Sequence, residues 1–163
     1  MRRIAAIALL GLLAACSLSD DLDMVKAESA LRSEIARHYG VAVDEVACPD
    51  EVAMEDGGTF TCRVTVAGQE LPVEATQDDG DGNVTFEATA AVIDVVEKTA
   101  ELQEAIAAEN AGAHLRLYCG DRPVLVLEPG GTFDCLLEGP DLPLRRVVVT
   151  VEDVDGATTF TTG

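Results

Sequence analysis

Tryptophan is absent from the 163 residues, and only two tyrosines and four phenylalanines occur. A core made mostly of Val, Leu, Ile and Ala has few large side chains to bury, and a small domain of that kind needs covalent help. Positive charge is also scarce. Lysine occurs only as Lys26 and Lys98, and 11 basic residues face 30 acidic ones, for a net charge of −19. Such a surface repels phosphate backbones and anionic headgroups, which argues against nucleic acid as a partner and against docking of the protein body on a charged membrane. The sequence lacks a Gly-x-Ser-x-Gly elbow, a phosphate-binding glycine loop, a dinucleotide fingerprint and a His-Glu-x-x-His pair. Carboxylates are abundant but none is singled out as a catalytic pair, so the expectation is a non-enzyme with no cofactor.

Only one long apolar run is present, residues 4–15, preceded by Arg2 and Arg3. Its twelve residues would reach about 18 Å as a helix, against a hydrocarbon core of roughly 30 Å, so an export signal is expected rather than a span. The run closes in Leu13-Ala14-Ala15-Cys16, which resembles the lipobox of bacterial lipoproteins. The resemblance implies cleavage before Cys16, lipidation of its thiol (a diacylglyceryl group, with palmitate among the expected acyl chains) and anchoring at the extracytoplasmic face of the cell membrane. Two acyl chains suffice for stable anchoring where one is marginal. Loss of Arg2 and Arg3 leaves nine basic residues against 30 acidic ones, a net charge of −21, so the lipid on Cys16 is the expected membrane attachment.

Comparison of the chain with itself gives two copies of one unit. Leu31, Ile35, Val46 and Cys48 fall on Leu102, Ile106, Leu117 and Cys119 at an offset of 71. Gly57-Gly58-Thr59-Phe60-Thr61-Cys62 falls on Gly130-Gly131-Thr132-Phe133-Asp134-Cys135 at an offset of 73. Asp81-Gly82 before Phe86 matches Asp155-Gly156 before Phe160 at an offset of 74. The expected organisation is a signal (1–15), a polar tether (16–23) and two units (24–90 and 91–163).

Within each unit the apolar period changes from helical to extended. Met24, Leu31, Ile35 and Tyr39 can share one helix face, and Val95, Leu102 and Ile106 another. Asp94 with Glu97 reads as a capping pair, and Gly40 and Gly112 as helix stops. The strands expected are 43–48, 59–66, 70–77 and 83–89, then 115–119, 132–137, 145–152 and 158–161. One helix followed by an antiparallel meander, twice, gives an α+β fold in which each helix packs on a four-stranded antiparallel sheet. Residues 90–94 are too short and too apolar for a free linker, so the units are expected to pack together or to share a fixed angle.

With Cys16 assigned to lipid, four cysteines remain, and four allow three pairings. The duplication selects Cys48 with Cys62 and Cys119 with Cys135. In the chain-entropy model each bridge contributes roughly 3 kcal/mol. The rival, a four-cysteine metal site, lacks the close Cys-x-x-Cys pairs such sites use. The acidic turn at 78–83 invites a calcium reading, yet as an EF-hand from Asp79 it has Val84 at the turn-glycine position and Ala90 in place of the bidentate glutamate. A structural turn is expected instead, repeated at 152–156. His38 and His114 fall in no catalytic or metal arrangement and read as surface histidines, and no metal is expected. The Arg145-Arg146 pair reads as charge guarding a sheet edge, with an acidic partner as the other reading.

The helix, the strand ending in cysteine, Gly-Gly-Thr-Phe-x-Cys, the hairpin and the Asp-Gly turn before an aromatic strand resemble the actinobacterial domain of unknown function 4333. The likeness covers both units and is closer in the first; Cys119-Gly120 stands where the first has Cys48-Pro49. It implies a cell-envelope protein or lipoprotein and carries no assigned activity. In architecture alone, tandem stapled units of helix and sheet are similar to secreted β-lactamase inhibitor proteins, which cover an enzyme with a sheet surface. The functional expectation is therefore an interaction or binding module whose partner is an envelope protein or cell-wall component. An inhibitor-like binding protein is the alternative, followed by a cell-wall hydrolase with dispersed acidic residues.

Overall fold

The computed structural model describes residues 21–110, 114–140 and 142–163. The expected export signal, Cys16 and Gly112 lie outside the described residues. The order of elements is α1 (Met24–Tyr39), β1 (Val43–Ala47), β2 (Thr59–Val66), β3 (Gln69–Gln77), β4 (Val84–Ala88), β5 (Ala91–Asp94), α2 (Val95–Glu109), β6 (Arg116–Tyr118), β7 (Val124–Leu127), β8 (Thr132–Gly139), β9 (Leu142–Val151) and β10 (Thr158–Thr162). The fold is α+β, with two helices and antiparallel sheets. One sheet runs β1-β2-β3-β4, a second β6-β8-β9-β10, and β5 pairs with β7 in a two-stranded ribbon.

Both helices begin at an aspartate. Asp23 Oδ1 accepts from the Lys26 amide at 3.0 Å, and Asp94 Oδ1 from the Glu97 amide at 2.9 Å, each satisfying a donor the first turn leaves open. Gly40 ends α1 in the left-handed conformation, while α2 ends at Asn110, whose side chain donates to the Ile106 carbonyl at 2.7 Å. Leu31 and Ile35 of α1 and Val95, Leu102 and Ile106 of α2 are buried, following the expected helical period.

Strand alternation builds the cores. Cys62, Val64 and Val66 of β2 and Leu71, Val73 and Ala75 of β3 point inward beneath α1. Cys135 and Leu137 of β8 with Val147 and Val149 of β9 do the same beneath α2. The disulfides follow from register. Ala47 pairs with Arg63, so the next position places Cys48 opposite Cys62, and they are bonded with Cα atoms 4.2 Å apart. Tyr118 pairs with Leu136, and Cys119 and Cys135 are bonded with Cα atoms 4.1 Å apart.

The paired glycines before β2 and β8 divide two tasks. Gly57 and Gly130 take positive φ of 74° and 85°, which favours glycine. A Cβ on Gly58 would stand 2.8 Å from Gln77 Nε2 and 3.0 Å from the Glu55 carbonyl, and one on Gly131 would stand 2.8 Å from the Glu128 carbonyl. Both loops are locked to the far end of the sheet, Gln77 N donating to Gly58 O at 2.8 Å and Val151 N to Gly131 O at 2.9 Å.

Three expectations are corrected. The β5 and β7 strands were not foreseen. Val124, Leu125, Val126 and Leu127 form a short apolar run without alternation, and the partner that makes it a strand lies far upstream at Ala91–Asp94. Residues 21–23 are folded rather than tether: Asp21 bridges Ala53, the Leu22 amide donates to the Val52 carbonyl at 2.8 Å, Leu22 is buried, and Asp23 is the helix cap. Arg145 and Arg146 do not guard an edge, because β9 lies between β8 and β10.

The β5–β7 ribbon joins the two sheets. Val124, Val92 and Val126 pack against the first core, and Leu125 and Leu127 against Ala91, Ile93 and Val151. Gln69 of β3 bonds β7 as a strand would, its Nε2 donating to Val124 O at 2.9 Å and its Oε1 accepting from Val126 N at 3.2 Å.

Candidate binding surface

With α2 on one side of the β6-β8-β9-β10 sheet, alternation turns every second residue to the open side. On β8, Cys135 and Leu137 are buried, so Asp134, Leu136 and Glu138 face out. On β6, Leu117 is buried between Arg116 and Tyr118. On β9, Val147, Val149 and Val151 are buried, leaving Arg146 and Val148 on the open side by the same period, while Leu144 lies where the register with β8 shifts.

That side exposes large apolar groups, Tyr118 at 51% and Leu136 at 43%, and Leu144 is 65% exposed at the neighbouring register shift. Tyr118 pairs across strands with Leu136, and Leu136 with Arg146, so the three stand in one row. Arg146 holds Asp134 in a fork, Nε to Oδ1 at 2.8 Å and Nη2 to Oδ2 at 2.7 Å. The pair fixes the guanidinium plane over the sheet; these hydrogen bonds hold the Asp134 carboxyl below its ordinary value and raise that of Arg146. The Tyr118 hydroxyl donates to Asp121 Oδ1 at 2.7 Å, and that hydrogen bond pushes the phenol up. Tyrosine and arginine beside aliphatic groups are the composition that dominates binding energy at protein interfaces.

The open side of the β1-β2-β3-β4 sheet differs. Thr61, Arg63 and Thr65 of β2 stand beside Glu70, Pro72, Glu74 and Thr76 of β3, and Glu74 lies directly opposite Glu87 of β4. It is polar and acidic, where the other sets exposed Tyr118 and Leu136 beside an Arg146–Asp134 ion pair.

The residues singled out in sequence fall elsewhere. Asp79 Oδ1 accepts from the amides of Asp81 at 2.9 Å and Asn83 at 3.2 Å, and its Oδ2 from Asn83 Nδ2 at 2.6 Å, so the acidic turn spends this carboxylate on its own donors. These bonds, led by the one from the Asn83 side chain, hold Asp79 below its ordinary value. Asp153 accepts in the same way from Asp155 and Ala157. His38 is exposed in the last turn of α1, its ring edge-on to Tyr39 with centroids 4.6 Å apart. His114 is exposed beside Gln103, Arg116 and Glu138. Tyr118, Leu136 and Leu144 carry no motif, yet one signal was readable: in Cys135-Leu136-Leu137 only alternate residues of a strand can face the core.

No helix among the described residues is long and apolar enough to cross a membrane. No curated protein and no solved structure matches the chain. Residues 8–82 match the model of the family described as a domain of unknown function (DUF4333), a span that includes Cys16, Cys48 and Cys62.

Proposed function

We propose that this protein is a lipid-anchored interaction module of the bacterial cell envelope. It is made of two copies of one α+β unit, and it binds a protein partner through the open side of its second sheet. The observation that carries the binding reading is the row of Tyr118, Leu136 and Arg146 with Leu144 beside it on an otherwise acidic molecule.

The two-copy reading has support from matching local structure. The sheets have the same strand order, the helices the same aspartate cap, and the disulfides the same register position. The Asp21–Ala53 bridge, whose first residue precedes α1, corresponds to the β5–β7 pairing, whose first strand precedes α2, and this likeness supports units drawn at 21–90 and 91–163 rather than a first unit starting at 24.

The anchor rests on Leu13-Ala14-Ala15-Cys16. Since the fold begins by Asp21, five residue steps separate it from Cys16, a reach of about 18 Å at most. The body therefore works close against the membrane, and partners at that surface are the ones its sheet meets. A sheet that covers a partner is also how an inhibitor-like binding protein would act, and the exposed Tyr118 favours that as the second reading.

Site-specific photo-cross-linking in intact cells tests the proposal. A probe at Leu136 gives a discrete adduct that Leu144→Asp abolishes, while a probe at Glu74 on the other open sheet gives none. Equal labelling from both positions, or none from Leu136, overturns it.

A further inference from the structure

We infer a second binding site, at the free edge of β4, that takes an extended basic peptide of a partner as an added strand between β4 and α1. β4 is an outer strand of its sheet. The amide of Thr89 donates to the Pro72 carbonyl at 3.0 Å and that of Asp78 to the Asn83 carbonyl at 2.9 Å, so Asn83, Thr85, Glu87 and Thr89 direct their backbone groups at β3. By antiparallel alternation Val84, Phe86 and Ala88 direct theirs outward, and among the described residues no hydrogen bond beyond the strand ladder engages them.

That edge opens onto a groove. Two cavities of about 390 and 350 Å³ share Phe86 and follow α1 from Lys26 to Tyr39. Ala27, Ala30, Ile35, Phe86, Ala88 and Val154 supply apolar surface. The small alanines of α1 leave room beside β4 that a longer side chain would fill. An edge strand facing a helix across an apolar groove is the geometry of strand addition, where main-chain bonds give affinity and pockets for alternate side chains give specificity.

Charge selects the occupant. Glu34, Glu87 and Asp155 border one end, and Asp21, Asp23 and Asp81 the other, with Lys26 and His38 the cationic or ionisable-base side chains among them. No group of His, Cys, Asp or Glu among the described residues converges as a metal site would. The spread of carboxylates around an apolar floor suits lysine or arginine side chains alternating with apolar ones. The corresponding groove of α2 and β10 is lined, among the described residues, by Glu109 and Thr158, Thr159, Phe160, Thr161 and Thr162, with Phe160 as its one large apolar side chain.

The test uses the full-length oxidised protein in detergent micelles at 0.15 M salt. The probe is a pooled library of acetylated seven-residue peptides, apolar at alternate positions with lysine or threonine between. Saturable binding is expected, with amide exchange at Val84, Phe86 and Ala88 slowed at least tenfold. N-methylation of the bound peptides' alternate amides, which removes ladder donors and leaves the protein unchanged, and Ala88→Pro each weaken binding at least tenfold. Absence of saturable binding overturns the site, as does equal binding of the N-methylated peptides. Protection of the three amides without peptide assigns the edge to the chain's own upstream residues or, if it varies with concentration, to a second copy, and also overturns it. Binding that protects Leu136 instead leaves the sheet-face proposal standing and removes this one.

Discussion

The Gln69 side chain donates from Nε2 to the Val124 carbonyl at 2.9 Å, across 55 residues of sequence. Its Oε1 accepts from Val126 in return, so one amide does for β3 and β7 what a pair of strand residues does in a ladder. The contact couples the first sheet to the ribbon whose other strand, β5, leads into α2. Gln69→Ala leaves both β7 groups without that partner and should lower stability by about 1–3 kcal/mol. Urea unfolding followed with amide exchange at Val126 checks this; an unchanged midpoint and unchanged exchange would show that apolar packing alone joins the sheets.

Gln77 occupies the position that Val151 takes in the second half, and it is 2% exposed. Its Oε1 accepts from Glu55 N and its Nε2 donates to Ala53 O, both at 3.0 Å. In the second half β7 reaches its own strand partner, and a valine suffices there. Gln77→Val should therefore destabilise by on the order of 2 kcal/mol, because two backbone groups lose their partner, whereas Val151→Ala loses only packing. Thermal or urea unfolding of the two variants separates these causes.

Gly131→Ala should cost about 1–3 kcal/mol, since the new Cβ meets backbone, the Glu128 carbonyl, at 2.8 Å. Gly80→Ala, with open space around its Cβ position, is the control and should change stability little. Equal midpoints for the two variants would remove close approach as the reason for the second glycine of the pair.

Asp79 is held below its ordinary value of 3.8 by the donors of its own turn. A carboxyl depressed in the folded state adds stability that is present above its unfolded pKa and lost as pH falls through the folded one, so the window lies below about pH 4. Asp79→Asn should lose less stability than the parent between pH 5 and pH 2.5. Urea titrations at both values read the difference, and parallel losses would contradict the assignment.

Much of the fold was legible because its signals are local. The strand Thr59–Val66 emerged with its bounds, the capping aspartate before α2 was evident, and the recurrence of Gly-Gly-Thr-Phe-x-Cys pointed to the cysteine pairs. What escaped depends on distant partners. Residues 124–127 become a strand only through residues 91–94, and Asp21 enters the fold only through Ala53. Arg146 looked like edge charge because strand order is not written in a strand's own residues; its place beside Leu136 emerges only when β8 is laid against β9. Leu136 was overlooked in the sequence although strand alternation beside Cys135 and Leu137 turns it outward, and Tyr118 joins it only when β6 is laid against β8.

The central claim is that this two-sheet surface is presented from a membrane through Cys16. Intact-mass and N-terminal peptide measurements on protein extracted from membranes test it most directly. The account predicts a mature chain beginning at Cys16 that carries a diacylglyceryl group and four disulfide-bonded cysteines, with Cys16→Ala released from the membrane fraction or left uncleaved. A mature chain that begins elsewhere, or a Cys16 recovered as an unmodified thiol, would contradict it.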